Sequence, residues 1–396
     1  MSGLLPNARS RRIVESATLA ISATAARLKA EGKDVVSLGA GEPDFPVPAP
    51  IAAAGVRAIQ EGNYRYTPAP GVPELRAAGA RWLQQAFGLS YGKDEVMVCA
   101  GAKAALHMAL AAIVEPGDRV LILAPYWVSY PALVTMADGV PAIVPAVPEQ
   151  GFVHTPEQVA AAIAQHGAKG IILNFPNNPS GMAPTREQVQ AIVDTCLRHG
   201  LWIVSDEIYR RLVYEGEPNM SPVSLAPRFK ERTAIIDGAS KAFAMTGYRI
   251  GFVAAPQPLA AAVGRLHSQL TGSPNAISQA AYLAGLQQEP PEVAAMCGEF
   301  QRRRDILVKG LEAIGLRTPW PRGAFYAFPD VARFLDERGS KGFCEDLLEQ
   351  QNLAVVPGSA FELEGYIRLS YATSIAQIEL ALERLGRFVA SHPRRG

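Results

Sequence analysis

Short apolar runs alternate with longer amphipathic segments through the middle of the chain, and this rhythm predicts its fold. Between residues 96 and 255 the apolar runs are rich in Val, Ile and Leu. Segments with one apolar face, such as residues 102–114 and 185–199, separate several of them. Buried strands joined by helices are typical of a largely parallel sheet that is covered on both faces. We therefore predict an α/β domain with about seven strands.

The pattern changes after residue 256. Residues 257–315 are mostly helical in pattern, and two later strands alternate with helices. This order predicts a smaller α+β domain at the carboxyl end of the chain. The expected boundaries are a segment that packs on the small domain (residues 1–46), a large domain (residues 47–285) and the small domain (residues 286–396).

Composition narrows the class of protein. The 396 residues are 48% hydrophobic and 19% charged, which is typical of a soluble globular protein rather than a disordered one. The net charge of +1 gives no electrostatic basis for binding nucleic acid or an anionic membrane. The 4 cysteines lack CxxC spacing, which argues against a structural metal site or a disulfide framework and favours a reducing cytoplasm. We predict no metal site.

A lysine surrounded by small residues stands out in the stretch Asp237-Gly-Ala-Ser-Lys-Ala-Phe-Ala-Met-Thr-Gly-Tyr-Arg-Ile-Gly251. Lys241 follows one apolar run, and Arg249 opens the next. A desolvated lysine loses basicity and becomes a nucleophile toward an aldehyde. The arginine can hold an anionic group of the same ligand. Taken alone, this pair is better explained as a solvated Lys and Arg in a loop.

The stretch resembles the lysine signature of the class I aminotransferases that use pyridoxal 5′-phosphate (PLP). That signature is small-x-small-Lys, followed by Gly-x-Arg and apolar-Gly. The resemblance implies the fold of the fold type I PLP-dependent transferases. It also implies that Lys241 carries PLP as a Schiff base, that Arg249 binds the PLP phosphate, and that Ser240 contacts the cofactor. Further fragments similar to those of the family lie on both sides of this stretch, in the family's order. They extend from residue 37 to residue 373, which is nearly the whole chain.

Two of these fragments follow predicted strands. Cys99-Ala-Gly-Ala-Lys103 precedes a helix, whose first N–H groups can bind an anion. The family uses this turn for the PLP phosphate, which implies cofactor contacts for Gly101, Ala102 and Lys103. Pro125-Tyr-Trp-Val-Ser-Tyr-Pro131 resembles the family's aromatic loop, so Trp127 is expected to stack on the pyridine ring and to contact the substrate. From the residues alone, Trp127 fits ordinary core packing equally well.

Two further fragments supply polar groups at strand ends. Asn174-Phe-Pro-Asn-Asn-Pro-Ser-Gly181 resembles the family's Asn-Pro-Thr/Ser-Gly turn, which implies that Asn178 contacts the ring hydroxyl oxygen and the substrate carboxylate. An aspartate at a buried strand end is costly unless it is paired. In Ser205-Asp-Glu-Ile-Tyr209 the resemblance implies that Asp206 pairs with the pyridine nitrogen and that Tyr209 bonds the ring hydroxyl oxygen. Lys241 is expected on the next strand.

The remaining fragments concern the substrate and a second subunit. Tyr66-Thr-Pro-Ala-Pro-Gly71 is similar to the family segment whose tyrosine reaches the phosphate of the neighbouring subunit, which implies an obligate homodimer. Arg368, in Ile367-Arg-Leu-Ser-Tyr-Ala-Thr373, matches the arginine that holds the substrate α-carboxylate in a planar fork. Gly41, in Gly41-Glu-Pro-Asp-Phe45, matches a backbone contact to that carboxylate.

The resemblance also suggests a substrate. The fragments look like those of the prokaryotic aspartate aminotransferases, in which a Thr, a Lys and a partner-subunit Ser bind the distal carboxylate. Thr18, Lys103 and Ser273 occupy the matching places, and residues 268–278 contain no arginine. The segment Ile13–Thr18 lacks the lysine of prephenate-active members. We expect ping-pong transamination between aspartate and 2-oxoglutarate, with weak prephenate activity.

Other functions remain open on the same cofactor residues. One group is aminotransferases for aromatic amino acids, alanine, prephenate or a secondary-metabolism substrate. Another is a PLP-dependent carbon–sulfur lyase. A transcription regulator with this fold is disfavoured, because the matches begin near residue 16 and leave no room before them for a DNA-binding domain.

Overall fold

A computed structural model describes residues 5–13, 17–215, 221–225 and 227–392 of the chain. Its strands are β1 (Val36–Ser37), β2 (Val96–Cys99), β3 (Arg119–Leu123), β4 (Val140–Val144), β5 (Gly170–Asn174), β6 (Trp202–Asp206), β7 (Thr233–Gly238), β8 (Gly251–Ala254), β9 (Tyr326–Ala327), β10 (Leu353–Ala354), β11 (Val356–Pro357) and β12 (Ile367–Ser370).

The α-helices are α1 (Ala8–Arg11), α2 (Ala17–Ala30), α3 (Ala49–Gln60), α4 (Pro73–Phe87), α5 (Ala102–Ile113), α6 (Tyr130–Met136), α7 (Pro156–His166), α8 (Arg186–Arg198), α9 (Pro222–Leu225), α10 (Ala239–Ala242), α11 (Gln257–Leu270), α12 (Ala276–Gln287), α13 (Glu292–Ala313), α14 (Gly339–Gln351) and α15 (Ile375–Ser391). No helix within the described ranges is long and apolar enough to cross a membrane.

The predicted sheet is confirmed as a 7-stranded sheet in the order β2-β8-β7-β6-β5-β3-β4. Strands β3 to β7 run parallel to one another, and β8 is antiparallel to both of its neighbours. Residues 239–250 join β7 to β8 and form only the one-turn helix α10 and a short 3₁₀ turn, with no helix that could cross over a sheet face, so β8 returns antiparallel to β7.

The strands are buried on both faces, as their continuous apolar runs predict. Alternate residues belong to different cores because successive side chains point to opposite sides of a sheet. In β6, Val204 packs in the core formed with α5, α6 and α11, whereas Ile203 packs in the core formed with α7 and α8. In β7, Ile236 and Ile235 divide in the same way, with Ile235 facing α4 and α12.

A second unit is built around the 3-stranded antiparallel sheet β11-β12-β9 and packs with α13, α14 and α15 in its own core. The amino-terminal segment joins this unit through the parallel pairing of β1 with β10. Ser370 N donates to the Leu38 carbonyl at 2.7 Å, which extends the contact. The segment that leads toward Gly41 is therefore held against the strand that carries Arg368.

The carboxyl ends of the parallel strands meet at one edge of the large sheet. The loops that follow β5, β6 and β7 begin at that edge, which is where open α/β sheets bind their ligands. The second unit also reaches this edge, because Arg322 N and Gly323 N both donate to the Gly181 carbonyl at 2.9 Å. The two units therefore meet beside the strand ends.

We expect Gly181→Ala to weaken this junction. Gly181 has a φ of +67°, and a Cβ there would lie 2.5 Å from the Tyr326 carbonyl oxygen. Left-handed backbone strain and overpacking together should lower the free energy of unfolding by about 2–5 kcal/mol. The matched control is Gly167→Ala, because Gly167 has a φ of +60° and no atom within 4 Å of an added Cβ. The free energy of unfolding of both variants is measured by urea denaturation. An equal decrease in the two variants would contradict the close approach at Gly181.

Candidate active site

A cavity of about 580 Å³ lies at the carboxyl edge of the large sheet, between the two units and beneath helix α2. Most of the site residues predicted from the sequence line it. They are Thr18, Gly41, Ala102, Lys103, Trp127, Asn178, Asp206, Tyr209, Ser240, Lys241, Arg249 and Arg368.

Lys241 lies on the one-turn helix α10 and not on a strand, so that part of the prediction is wrong. Strand β7 ends at Gly238, where a Cβ would lie 2.9 Å from the Ile250 carbonyl oxygen. The chain then turns, and Lys241 Nζ donates a hydrogen bond to the Gly41 carbonyl. Burial lowers the pKa of Lys241 to about 8, although the nearby Glu42 carboxylate opposes this shift. A large fraction of the amine is therefore neutral near pH 8 and able to act as a nucleophile.

Asp206 ends β6 and faces the same cavity. Its Oδ2 accepts a hydrogen bond from the Tyr130 hydroxyl at 2.7 Å, and its Oδ1 accepts a long one from Ile208 N at 3.3 Å. Burial raises the pKa of Asp206 to about 6, and both hydrogen bonds oppose this rise. A buried carboxylate in this position is suited to hold a cationic N–H group of a ligand.

An anion-binding surface lies at the start of α5. Gly101 has a φ of +89°, and a Cβ there would lie 2.9 Å from Arg249 Nη2, so only glycine lets the guanidinium approach the turn this closely. Gly101 does not line the cavity itself but packs against Arg249. The first N–H groups of α5 and the guanidinium together favour a phosphate or carboxylate group.

Lys103 and Trp127 form the neighbouring wall. Lys103 Nζ lies 4.8 Å from the centre of the Trp127 ring, which is a cation–π distance. Burial lowers the pKa of Lys103, and the positive charge of Arg249 adds to this shift. Trp127 also packs edge-to-face on Tyr130 with ring centres 5.4 Å apart, so the aromatic pair connects this wall to Asp206.

Arg368 is fully buried at the opposite end of the cavity. Its Nη1 donates to Asn178 Oδ1 at 3.0 Å, and its Nη2 donates to the Gly39 carbonyl at 2.9 Å. Its Nε is buried and has no hydrogen-bond partner within the described residues. A buried guanidinium with unused donor capacity is a suitable receptor for a carboxylate.

Several residues of the site were missed in the sequence prediction. Tyr130 lies in the aromatic loop Pro125–Pro131, and its hydroxyl contacts Asp206. Tyr326 lies in the second unit, and its hydroxyl is 2.9 Å from that of Tyr209. Glu42 accepts a hydrogen bond from Thr246 Oγ1 at 2.8 Å and faces the cavity. Each partner is distant in sequence, and no local pattern pairs it with its neighbour.

Thr18, Tyr66 and Ser273 differ in their position relative to the cavity. Thr18 lines the cavity from α2, and its buried Oγ1 has no hydrogen-bond partner in the described structure. Tyr66 is 98% exposed, and Ser273 is half-buried and does not line the cavity. Both were assigned to contacts with a second subunit. Residues 14–16 of the segment Ile13–Thr18 lie outside the described residues.

This arrangement of a buried lysine, a carboxylate and two anion-binding arginines accords with the family comparison. The sequence model described as aminotransferase class I and II matches residues 33–385. The chain belongs to this family and is an enzyme that transfers nitrogenous groups.

Individual relatives are similar over nearly the whole chain. The probable aspartate/prephenate aminotransferase of Thermus aquaticus is 43% identical over 98% of this chain and 99% of its own length. The aspartate aminotransferase of Geobacillus stearothermophilus is 42% identical over 95% of this chain and 97% of its own. Among solved structures, the aspartate aminotransferase of Thermus thermophilus with maleate is 42% identical, with a TM-score of 0.93 over 98% of this chain and all 100% of that chain.

We expect Lys241 to titrate far below ordinary lysines in the protein without cofactor, because burial disfavours its charged form. With a pKa of about 8, roughly half of the amine is neutral at pH 8, against about 0.4% for a lysine of ordinary pKa. The check is ¹³C NMR of reductively methylated protein, with the Lys241 signal assigned by its loss in Lys241→Ala. A Lys241 signal that titrates near pH 10, together with the other lysines, would contradict the predicted desolvation.

Proposed function

We propose that this chain is a PLP-dependent aminotransferase that exchanges amino groups between aspartate and 2-oxoglutarate by a ping-pong mechanism. The observation that carries the proposal is the placement of Lys241 and Asp206 in one cavity between two anion-binding ends. One end is formed by Arg249 and the turn at Gly101, and the other by Arg368. A ligand with an aldehyde, a ring nitrogen and a phosphate matches three of these groups. Its aldehyde would meet Lys241, its ring nitrogen Asp206, and its phosphate the end formed by Arg249 and the turn at Gly101.

The residues present fit PLP. Arg249, Gly101 and Ala102 would hold its phosphate, because the glycine leaves the backbone N–H groups uncovered. Trp127 would stack on its ring, with Ser240 beside the phosphate end. Asp206 would accept a hydrogen bond from the ring nitrogen and keep that nitrogen protonated. Tyr209 and Asn178 would contact the ring hydroxyl oxygen.

Bound PLP supplies an electron sink for the electron pair that remains when the Cα–H bond of an amino acid is broken. Arg368 orients the α-carboxylate of the amino acid through its fork, supported by Asn178 and the backbone of Gly41. Lys241 Nζ would then take the Cα proton as a general base and deliver it to the carbon on the other side of the amino nitrogen, two bonds from Cα. Its lowered pKa places both its protonated and its neutral form within reach near neutral pH.

The distal carboxylate of the substrate is assigned to Lys103, Thr18 and the Ser273 of a second copy. Thr18 Oγ1 supports this assignment, since it is a buried hydroxyl without a partner among the described residues. One related structure has maleate, a four-carbon dicarboxylate of the same length as aspartate. Relatives named aspartate/prephenate aminotransferase make prephenate the second candidate substrate.

We further propose a cytoplasmic homodimer in which Tyr66 reaches the phosphate of the partner's cofactor. Tyr66 is exposed on a loop that lies next to helix α11. A hydrogen bond of 3.1 Å between His267 Nδ1 of this helix and the Ala69 carbonyl holds the loop there. The same helix exposes Leu266 and Leu270. These two leucines are four residues apart and lie on one face of the helix, and exposed apolar side chains on one face favour an interface between subunits. The free cysteines fit a reducing compartment.

A half-reaction tests the function. Purified protein loaded with PLP is mixed with L-aspartate in a stopped-flow instrument without any keto acid. Loss of the yellow absorbance with release of oxaloacetate, followed by recovery with 2-oxoglutarate, is the expected result. A much faster loss of absorbance with alanine, phenylalanine or the amino product of prephenate would redirect the substrate. Pyruvate and ammonia from a cysteine conjugate would indicate the lyase.

We expect Lys103→Met to change substrate preference, because it removes the cation assigned to the distal carboxylate. A charged hydrogen bond contributes about 1.5–3 kcal/mol, so kcat/KM for aspartate should fall about 10- to 100-fold. For alanine, which lacks this carboxylate, the loss should be less than about threefold by the same reasoning. Steady-state kinetics with both amino acids provide the check.

The matched control is Lys309→Met, which removes an exposed lysine of α13 and should change neither ratio. Equal losses for aspartate and alanine in Lys103→Met would show that Lys103 acts on the cofactor alone.

A further inference from the structure

A buried ionic cluster lies behind the active site and has no part in the proposed chemistry. It consists of Glu207, Arg210 and Asp237, whose side chains are all buried. Arg210 Nη1 is 3.1 Å from Glu207 Oε2, and Arg210 Nη2 is 2.5 Å from Asp237 Oδ2. None of the three residues lines the active-site cavity.

The sheet register places this cluster on the face opposite Asp206. Asp206 of β6 pairs with Ile236 of β7, and Glu207 N continues the pairing by donating to the Ile236 carbonyl at 2.9 Å. Side chains alternate along each strand, so Glu207 and Asp237 point away from the side on which Asp206 lies. Arg210 accordingly stacks over the ring of Trp82 on α4 at 3.5 Å, whereas Asp206 contacts Tyr130 on α6.

The charges of the cluster do not cancel. When both carboxylates are ionised, two negative charges share one guanidinium, so the three residues together carry one excess negative charge. Glu207 is the residue after Asp206, and Asp237 lies on the neighbouring strand. Burial raises the pKa values of Glu207 and Asp237, and the charge of Arg210 opposes both rises. Asp237 in turn acts on Asp206 across the sheet and favours its protonated form. Without the guanidinium, an ionised Asp237 would lack its counter-charge and would repel an ionised Asp206 more strongly.

Arg210 also joins two elements that carry site residues. Its own segment directly follows β6, the strand that Asp206 ends, and its partner Asp237 lies four residues before Lys241. The planar guanidinium is fixed between two carboxylates and the Trp82 ring, so it holds the ends of β6 and β7 together. The loss of its charge would affect the site from behind, without removing any group that faces the ligand.

We propose that Arg210 is a positioning residue that neutralises carboxylate charge behind Asp206 and so keeps Asp206 ionised at neutral pH. This inference goes beyond the proposed function but rests on the role given there to Asp206, which must be an anion to hold a protonated ring nitrogen. The group that Arg210 acts through is Asp206, and Arg210 itself touches neither the cavity nor a ligand.

Other groups face the two carboxylate sites and must stay unchanged in a test. Among the described residues, Asp206 faces Tyr130, Tyr209 and Lys241, and Asp237 acts on it from the other face of the sheet. The further titratable or charged groups that act on the cluster are Tyr91, Tyr282 and Arg211. The test therefore substitutes only members of the cluster and reads the titration of Asp206 directly.

The experiment is ¹³C NMR of the protein without cofactor, labelled at the aspartate carboxyl carbons. The Asp206 signal is assigned by its absence in Asp206→Asn. We expect Arg210→Met to raise the pKa of Asp206 by about one unit or more, and Arg210→Lys, which keeps the charge, to restore most of the difference. Arg384→Met serves as the control, since it removes a buried arginine that pairs with Asp34 in the second unit. It should leave the Asp206 titration unchanged.

A second variant keeps the proposal testable if Arg210→Met does not fold. Asp237→Asn removes one repelling carboxylate and leaves the Arg210–Glu207 pair, so it should lower the pKa of Asp206. An Asp206 titration that stays the same in Asp237→Asn, and in Arg210→Met where it folds, would overturn the proposal. Failure of wild-type protein to bind PLP would overturn the proposed function instead, because the Asp206 titration is read without cofactor.

Discussion

The burial of opposite charges at one sheet edge is the constraint on which the site depends. Lys241 and Asp206 are both removed from water, and desolvation moves the pKa of the first down to about 8 and that of the second up to about 6. Each shift brings a group that is otherwise fully charged at neutral pH closer to titration. The hydrogen bond from Tyr130 and the charge of Glu42 limit these shifts and preserve the charged forms.

The fold supplies this arrangement through the register of neighbouring strands. Because β6 and β7 are parallel and adjacent, the residues that follow them emerge side by side at the same edge. Gly238 and Gly251 face each other in the antiparallel pair β7–β8, and a Cβ on Gly251 would lie 2.9 Å from Ala102 N. Close backbone approach thus brings the lysine turn, Arg249 and the start of α5 into one surface. The second unit closes the cavity with Arg368 and Tyr326.

Much of this could be predicted from the sequence. The strand runs gave the 7-stranded sheet because buried strands are continuous apolar segments. The motif residues around Lys241, Asp206 and Asn178 were found because each lies in a contiguous fragment at a strand end. The one-turn helix under Lys241 was missed, since four residues carry too little periodicity to separate a helix from a strand end.

Partners from distant segments could not be found in the same way. Tyr130 and Asp206 are 76 residues apart, and Tyr209 and Tyr326 are 117 apart. Arg210 lies 27 residues from Asp237, and a run of charged residues after a strand is indistinguishable from a solvated turn until the register is known.

The measurement that tests the account most directly is borohydride reduction of protein loaded with PLP, followed by peptide mass mapping. The account predicts one pyridoxyl-modified residue, Lys241. Modification of Lys103 instead, or no stable modification at all, would contradict it.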